Sequence, residues 1–502
     1  MTQQHSSFHP GRLVMVDIPG KQLDAPTADF LRQHQVRAVC LFRKNLGSET
    51  EIRQLTADLR AVMGEQALIG IDQEGGSVIR ATSLPQAPAA MALGAIGDEA
   101  LAEQVGAAVA RGLLHLGINW NFAPVLDVNN NPANPVIGER SFGDDPELVT
   151  RLARAWMRGS LREGVACCVK HFPGHGDTHV DSHHALPTVD KSLAALEALE
   201  LKPFRALTQG AEVAPAVMTA HIVYPQLDAE HPATLSRRVL TGILRDSMGY
   251  DGVVITDALM MKAVHERYGH ARAAVLALQA GADMPLAQGS LQEQRAAIEA
   301  IGAAWAAGQL ETAQLERAAA RIDRLAERFP LQTRDYDAKQ RLADEQLMHD
   351  GWARGLCTVR GARPPARQTP IRLICQASVA SDGVSEAGAS VEQVQALFAG
   401  YFDDVQLLRV QDLRALSAAD VPQDARMNVL VSNHRGRFGA AARLARPDLH
   451  LALWNPFQVL DIAAPAVISW GYADGALLAL TRWLRGDLEA VARPPVSLNQ
   501  ES

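Results

Sequence analysis

Aromatic side chains are scarce, 5% of 502 residues, so the stacking platforms that nucleic-acid binders offer to bases are not evident. The formal net charge of −8 argues in the same direction, against a nucleic-acid partner. The five cysteines (Cys40, Cys167, Cys168, Cys357, Cys375) form no CxxC pair, and four sit in apolar runs. They read as buried free thiols in a reducing compartment. No apolar run is long enough for a membrane span, and Leu13–Val16 is too short for the core of a signal peptide. A cytoplasmic protein with no membrane partner is therefore expected. The chain also lacks a GxGxxG fingerprint, a GK[ST] loop, internal repeats and low-complexity segments, so no nucleotide is assigned.

What is present is the composition of a soluble globular protein, 47% hydrophobic and 21% charged, in a chain long enough for two or three domains. Short apolar runs alternate with helix-patterned stretches: Leu13–Ile18, Arg37–Phe42, Ala67–Ile71, Gly117–Asn121, Val165–Lys170, Ala216–Ala220, Val253–Thr256 and Ala282–Leu286. Eight strand–helix repeats predict an α/β fold, a (β/α)8 TIM-type barrel over residues 1–330. Residues 331–368 read as a connector, helical around Ala343–Gly355 and then extended through GARPPARQ. Over 369–502 the alternation resumes with strands at Ile371–Cys375, Val405–Val410, Asn428–Val431, Leu449–Trp454 and Ala466–Trp470. This predicts a smaller open α/β sandwich domain. Polar groups fall at or near successive barrel strand ends: Asp72, Asn121, Lys170-His171, His221, Asp257 and Asp283. Strand C-termini converge on the mouth where barrel enzymes bind substrate.

The segment Lys170–His184, KHFPGHGDTHVDSHH, concentrates acid/base groups in a stretch that Pro173, Gly174 and Gly176 keep from being helical. It follows the buried run Gly164–Val169, so it is a loop at a strand end. Within it, Asp181 and His183 stand two residues apart, and an imidazole held by a carboxylate can deliver a proton; incidental polar residues on a surface loop are the alternative. The histidines also raise a zinc site, disfavoured because their four-residue spacing has meaning only on a helix. Asp257, in GVVITDALMM, is available as a carboxylate nucleophile or as a helix N-cap. In IDQEGG (residues 71–76) the carboxylates suit a grip on vicinal sugar hydroxyls, or the segment is an ordinary turn. Arg80, Arg140 and Lys170 supply positive donors, or taken singly are surface charges.

IDQEGG with Arg80, NFAPVLDV (Asn121–Val128), GERSFGDDP, KHFPGHGDT followed by DSH, and ITDAL occur in one order over residues 10–330. In this the chain resembles the β-N-acetylhexosaminidases of glycoside hydrolase family 3, N-acetylglucosaminidase branch. The resemblance implies a retaining exo-β-N-acetylglucosaminidase that acts on muropeptides or chitooligosaccharides in cell-wall recycling. It implies Asp257 as nucleophile, His183 supported by Asp181 as acid/base, and Asp72, Arg80, Arg140, Lys170 and His171 as sugar-binding, with no metal and no cofactor. No role is implied for His175 or His179, and His221 either lines the mouth or belongs to the core. Ser77 departs from the arginine this family commonly carries there. The second domain has no evident acidic residue to act as acid/base, which agrees with a histidine in that role. Alternatives are a phosphorylase using the same site, a β-glucosidase or xylosidase, and a non-catalytic sugar-binding barrel.

Overall fold

The computed structural model describes residues 8–181, 186–381, 385 and 387–498. Eight parallel strands close into a barrel: β1 (Met15–Asp17), β2 (Ala38–Leu41), β3 (Leu68–Ile71), β6 (Trp120–Asn121), β7 (Ala166–Phe172), β8 (Ala216–Thr219), β9 (Val253–Ala258) and β10 (Met284–Leu286). Around the barrel they follow in chain order, and β1 closes on β10 with Met15 opposite Leu286. Each lies within or overlaps one of the eight apolar runs. Parallel strands covered by helices are buried on both faces, hence continuous apolar runs rather than alternation. β7 is the telling case: all seven residues of ACCVKHF are buried, Lys170 and His171 included. The helix before it, Pro146–Glu163, starts where Asp145 caps its first turn with Pro146 at N1, and packs on Glu99–His115. Between β3 and β6 the chain makes an antiparallel hairpin, β4 (Gln73–Gly75) with β5 (Val78–Ile79). IDQEGG is therefore the start of a hairpin, not a plain turn.

A long helix, Ala338–Gly355, leads from the barrel to the second sheet. That sheet comprises β11 (Cys357–Val359), β12 (Ile371–Gln376), β13 (Val405–Val410), β14 (Met427–Ser432), β15 (Leu449–Ala452) and β16 (Ala466–Ile468), in the order β11-β16-β15-β14-β12-β13. It is parallel except for β11, which runs against β16 and is too short a run to read from sequence. The helical pattern of the sequence over Phe438–Ala445 gives only a 3-10 turn, at Ala440–Leu444. One apolar cluster joins the two units, with Ala89, Met91 and Ala92 of the barrel against Trp352, Phe457, Ile468 and Trp470. No helix among the described residues is long and apolar enough to cross a membrane.

Candidate active site

At the C-terminal mouth of the barrel lies a cavity of 450 Å³. Its polar lining comes from Asp72, Glu74, Arg80, Arg140, Lys170, His171, His175 and Asp257; Phe42, Val78, Phe122, Val136, Met218 and Leu286 supply apolar walls. Five elements contribute the charges: the end of β3, the hairpin, the Gly138–Arg140 turn, the end of β7 and the end of β9.

Four of these groups form one ion network. Lys170 Nζ lies 2.6 Å from both Asp72 Oδ1 and Glu74 Oε1. The Arg140 guanidinium grips Glu74 with both prongs, Nε to Oε2 at 2.9 Å and Nη2 to Oε1 at 2.8 Å. Burial alone would raise the Glu74 carboxyl, but Arg140 and Lys170 hold it well below the carboxylate range. Burial likewise works against the Lys170 ammonium, and Asp72 and Glu74 outweigh it, so Lys170 stays charged. Two cations and two anions cancel, which makes the burial of four charges tolerable. Asp72, with 19% of its side chain exposed against 6% for Glu74, is the carboxylate most open to a ligand.

A second group orders the KHFPGHG segment around Asp127, a fully buried carboxylate at the end of NFAPVLDV. Asp127 Oδ2 takes the Nδ1 of His171 at 2.7 Å, and Oδ1 accepts the backbone N–H groups of His171 (3.1 Å) and His175 (2.6 Å). Tyr224 donates to the Gly174 carbonyl at 2.6 Å, and Asn134 donates to the carbonyls of His175 and Gly176. Gly176 is packed so closely that a Cβ there would stand 1.7 Å from the Val128 carbonyl oxygen. The loop is thus clamped to its neighbours. His175, its Nδ1 2.9 Å from Thr178 Oγ1, is pushed down to about 4 by burial and then by the neighbouring His171, so it is neutral at pH 7.

Asp257 stands at the end of β9, half-buried in the cavity wall, and accepts the N–H of Ala258 at 2.8 Å. It caps no helix: the next one, Lys262–Tyr268, is preceded by Met261. The N-cap reading is excluded because β9 runs on through Ala258 and a turn intervenes.

Of the residues singled out in the sequence, Asp72, Arg80, Arg140, Lys170, His171 and Asp257 share this cavity. Asp181 is buried in the loop beyond it and is absent from the cavity lining. His183 lies outside the described residues. Three strand-end groups do not serve the mouth. Asn121 bonds the backbone of Gln73, and His221 is held by Thr234 (2.8 Å) and the Ala258 carbonyl (3.0 Å), so His221 belongs to the core. Asp283 bonds the N–H of Val254, at the start of β9, with Arg245 and Arg321. It precedes β10 and so sits at the opposite end of the barrel. Glu74, Asp127 and His175 were not singled out as site residues. Glu74 carried a signal, a second carboxylate two residues from Asp72; buried Asp127, lodged in an apolar motif, carried none that distinguishes it from a turn residue. Among the described residues no three His, Cys, Asp or Glu side chains are grouped so as to hold a metal ion.

A (β/α)8 barrel with a charged cavity at its strand C-termini is the architecture of a barrel enzyme. Residues 10–325 match the N-terminal domain of glycosyl hydrolase family 3. The chain belongs to that family, in its β-N-acetylhexosaminidase branch, and is a glycoside hydrolase. It is 39% identical over 288 residues to a β-hexosaminidase of Bordetella avium, covering 56% of this chain and 81% of that one. The structure of a family 3 β-N-acetylglucosaminidase from Paenibacillus superposes with a TM-score of 0.86 at 33% identity, covering 98% of this chain and 99% of the other. A fungal multi-domain β-N-acetylglucosaminidase superposes with a TM-score of 0.89 at 30% identity, over 98% of this chain and 61% of its own.

Proposed function

We propose that the protein is a retaining exo-β-N-acetylglucosaminidase. The observation that carries the reading is one cavity in which Asp257 shares the mouth with the Asp72–Lys170–Glu74–Arg140 network. In this reading the network, with Arg80 and His171, holds the hydroxyls and acetamido group of a terminal N-acetylglucosamine. The Asp257 carboxylate attacks the anomeric carbon as the glycosidic C–O bond breaks, and protonated His183, held by Asp181, gives its proton to the departing oxygen. Water then attacks the glycosyl ester, returns a proton to His183 and frees Asp257, with net retention. Two displacements on one carbon give retention whatever the chemical identity of the acid. The catalytic unit is the barrel over 1–330, followed by the connector 331–368 and the domain 369–502. The substrates are muropeptides or chitooligosaccharides, and the setting is cell-wall recycling in the cytoplasm.

Steady-state turnover of an aryl β-N-acetylglucosaminide beside the matching glucoside, with and without phosphate, tests this. The expected outcome is turnover of the N-acetylglucosaminide alone, indifferent to phosphate. Phosphate-dependent release of the sugar 1-phosphate would convert the reading to a phosphorylase; no turnover would overturn it. His183→Ala should lose least on substrates whose leaving group needs no proton. Equal loss on activated and unactivated substrates would remove His183 from the acid role.

A further inference from the structure

The second domain reaches the wall of the sugar cavity through a buried carboxylate of the barrel. Glu139 is 1% exposed and precedes Arg140 in the turn Gly138–Arg140. Its Oε1 accepts the indole N–H of Trp454, just beyond β15 of the second domain, at 2.9 Å. The same oxygen accepts the hydroxyl of Ser77, at the bend between β4 and β5. Glu139 therefore ties together the hairpin that presents Glu74 and Arg80 and the turn that presents Arg140. Its other oxygen is buried without a hydrogen-bond partner among the described residues, so Oε1 alone anchors the side chain.

Arg435, from the loop after β14, adds a second tie. It stacks 5.9 Å over the Trp454 ring and donates to the carbonyl of Val136, a residue of the cavity wall. That carbonyl also receives Nη1 of Arg140 at 3.1 Å. Serine at position 77 suits this arrangement: its hydroxyl reaches Glu139 and lies 3.3 Å from that of Ser385 in the second domain. We propose that Trp454 and Glu139 are positioning residues, and that the task of the second domain is to hold Arg140 and the hairpin in register around the sugar. The inference rests on the reading of the cavity as the sugar site.

Trp454→Phe keeps most of the ring and deletes the donor; Ser77→Ala deletes the other donor to the same oxygen. Trp470→Phe serves as control, since its indole N–H is equally buried but bonds Gly355, away from the turn. Two readouts are taken on the full chain: KM and kcat for an aryl β-N-acetylglucosaminide, and hydrogen exchange of residues 134–143. Trp454→Phe is expected to raise KM about tenfold with kcat within about twofold, and to speed exchange in that segment, as loss of a bond to a carboxylate implies. Ser77→Ala should act in the same direction and combine with Trp454→Phe non-additively, because both act on one oxygen. Trp470→Phe should change neither readout. Unchanged exchange in Trp454→Phe, or an equal rise in KM in the control, would overturn the proposal. Faster exchange in Trp454→Phe, with no turnover of the N-acetylglucosaminide by the wild type, would leave the positioning role standing and remove the assignment of the sugar.

Discussion

The barrel and the second domain each gather polar groups at the carboxyl ends of parallel strands, yet by different physics. In the barrel Glu74, Lys170 and Arg140 are buried and charged because each has an opposite charge within hydrogen-bond distance. In the second domain the imidazoles and amides buried near the corresponding end are neutral, and the Arg437–Asp461 pair lies in the loops beyond them. His450 lies 2.6 Å from the Ser432 hydroxyl, and Asn433 bonds the backbone of Gln376 and Ala389. Gln458 donates to the carbonyls of His434 and Gly436. No counter-charge outweighs the cost of burial there, so the imidazoles fall to about 4 for His434 and about 3 for His450. The charges of the barrel pair around an open space, whereas the neutral groups of the second domain fill theirs with their own bonds.

The largest effect should come from the open end. Asp257→Ala should lower turnover by about a thousandfold or more while leaving the melting temperature near that of the wild type. Residual activity within tenfold would mean that the mouth owes its chemistry to another group. Glu74→Gln leaves Arg140 without its ion-pair partner and Lys170 with Asp72 as its one carboxylate. Breaking a buried ion network costs on the order of 3–5 kcal/mol, to be read from urea unfolding. A loss below about 1 kcal/mol would mean that ion pairing is not what keeps the charges of the barrel mouth buried.

The neutral imidazoles are tested by pH. The unfolded chain protonates its histidines near 6.5, whereas folded His175, His434 and His450 stay neutral down to about 4, 4 and 3. The unfolded state therefore binds more protons in that window, so their contribution is intact above pH 6.5 and stability falls as pH drops through it, by about 1.4 kcal/mol per unit for each group. Glu74 and Asp127, held below their ordinary values of 4.5 and 3.8, add a further loss only at lower pH. His450→Gln should flatten the slope between pH 6.5 and 4; an unchanged slope would show that this histidine is not kept neutral. The smallest effect belongs to exposed pairs. Arg32→Ala removes a bridge to Asp29 in which both side chains are more than half exposed, and should change stability by less than about 0.5 kcal/mol.

The eight barrel strands were legible because a strand buried on both faces must be written as an unbroken apolar run, whatever surrounds it. Asp257 and Lys170 were legible as the polar residues that end such runs. The same rule misplaced Asp283, which lies at the start of a run and serves the opposite end of the barrel. It also promoted His221, whose two ring nitrogens are taken by Thr234 and the Ala258 carbonyl. Asp127 was missed because its function is to receive three groups from a loop more than 40 residues further along the chain.

By itself the sequence determined the barrel, the second α/β sheet, and the loop and strand ends that hold the acidic and basic side chains, because each follows from local periodicity, from proline and glycine, and from the spacing of motifs. Only the tertiary structure decided which charges pair, which histidines are neutral and which domain touches the mouth. Those outcomes depend on distances of a few ångströms between residues far apart in the chain, such as Trp454 and Glu139. Burial and counter-charge, which set the state of each group, exist only once the chain has closed on itself.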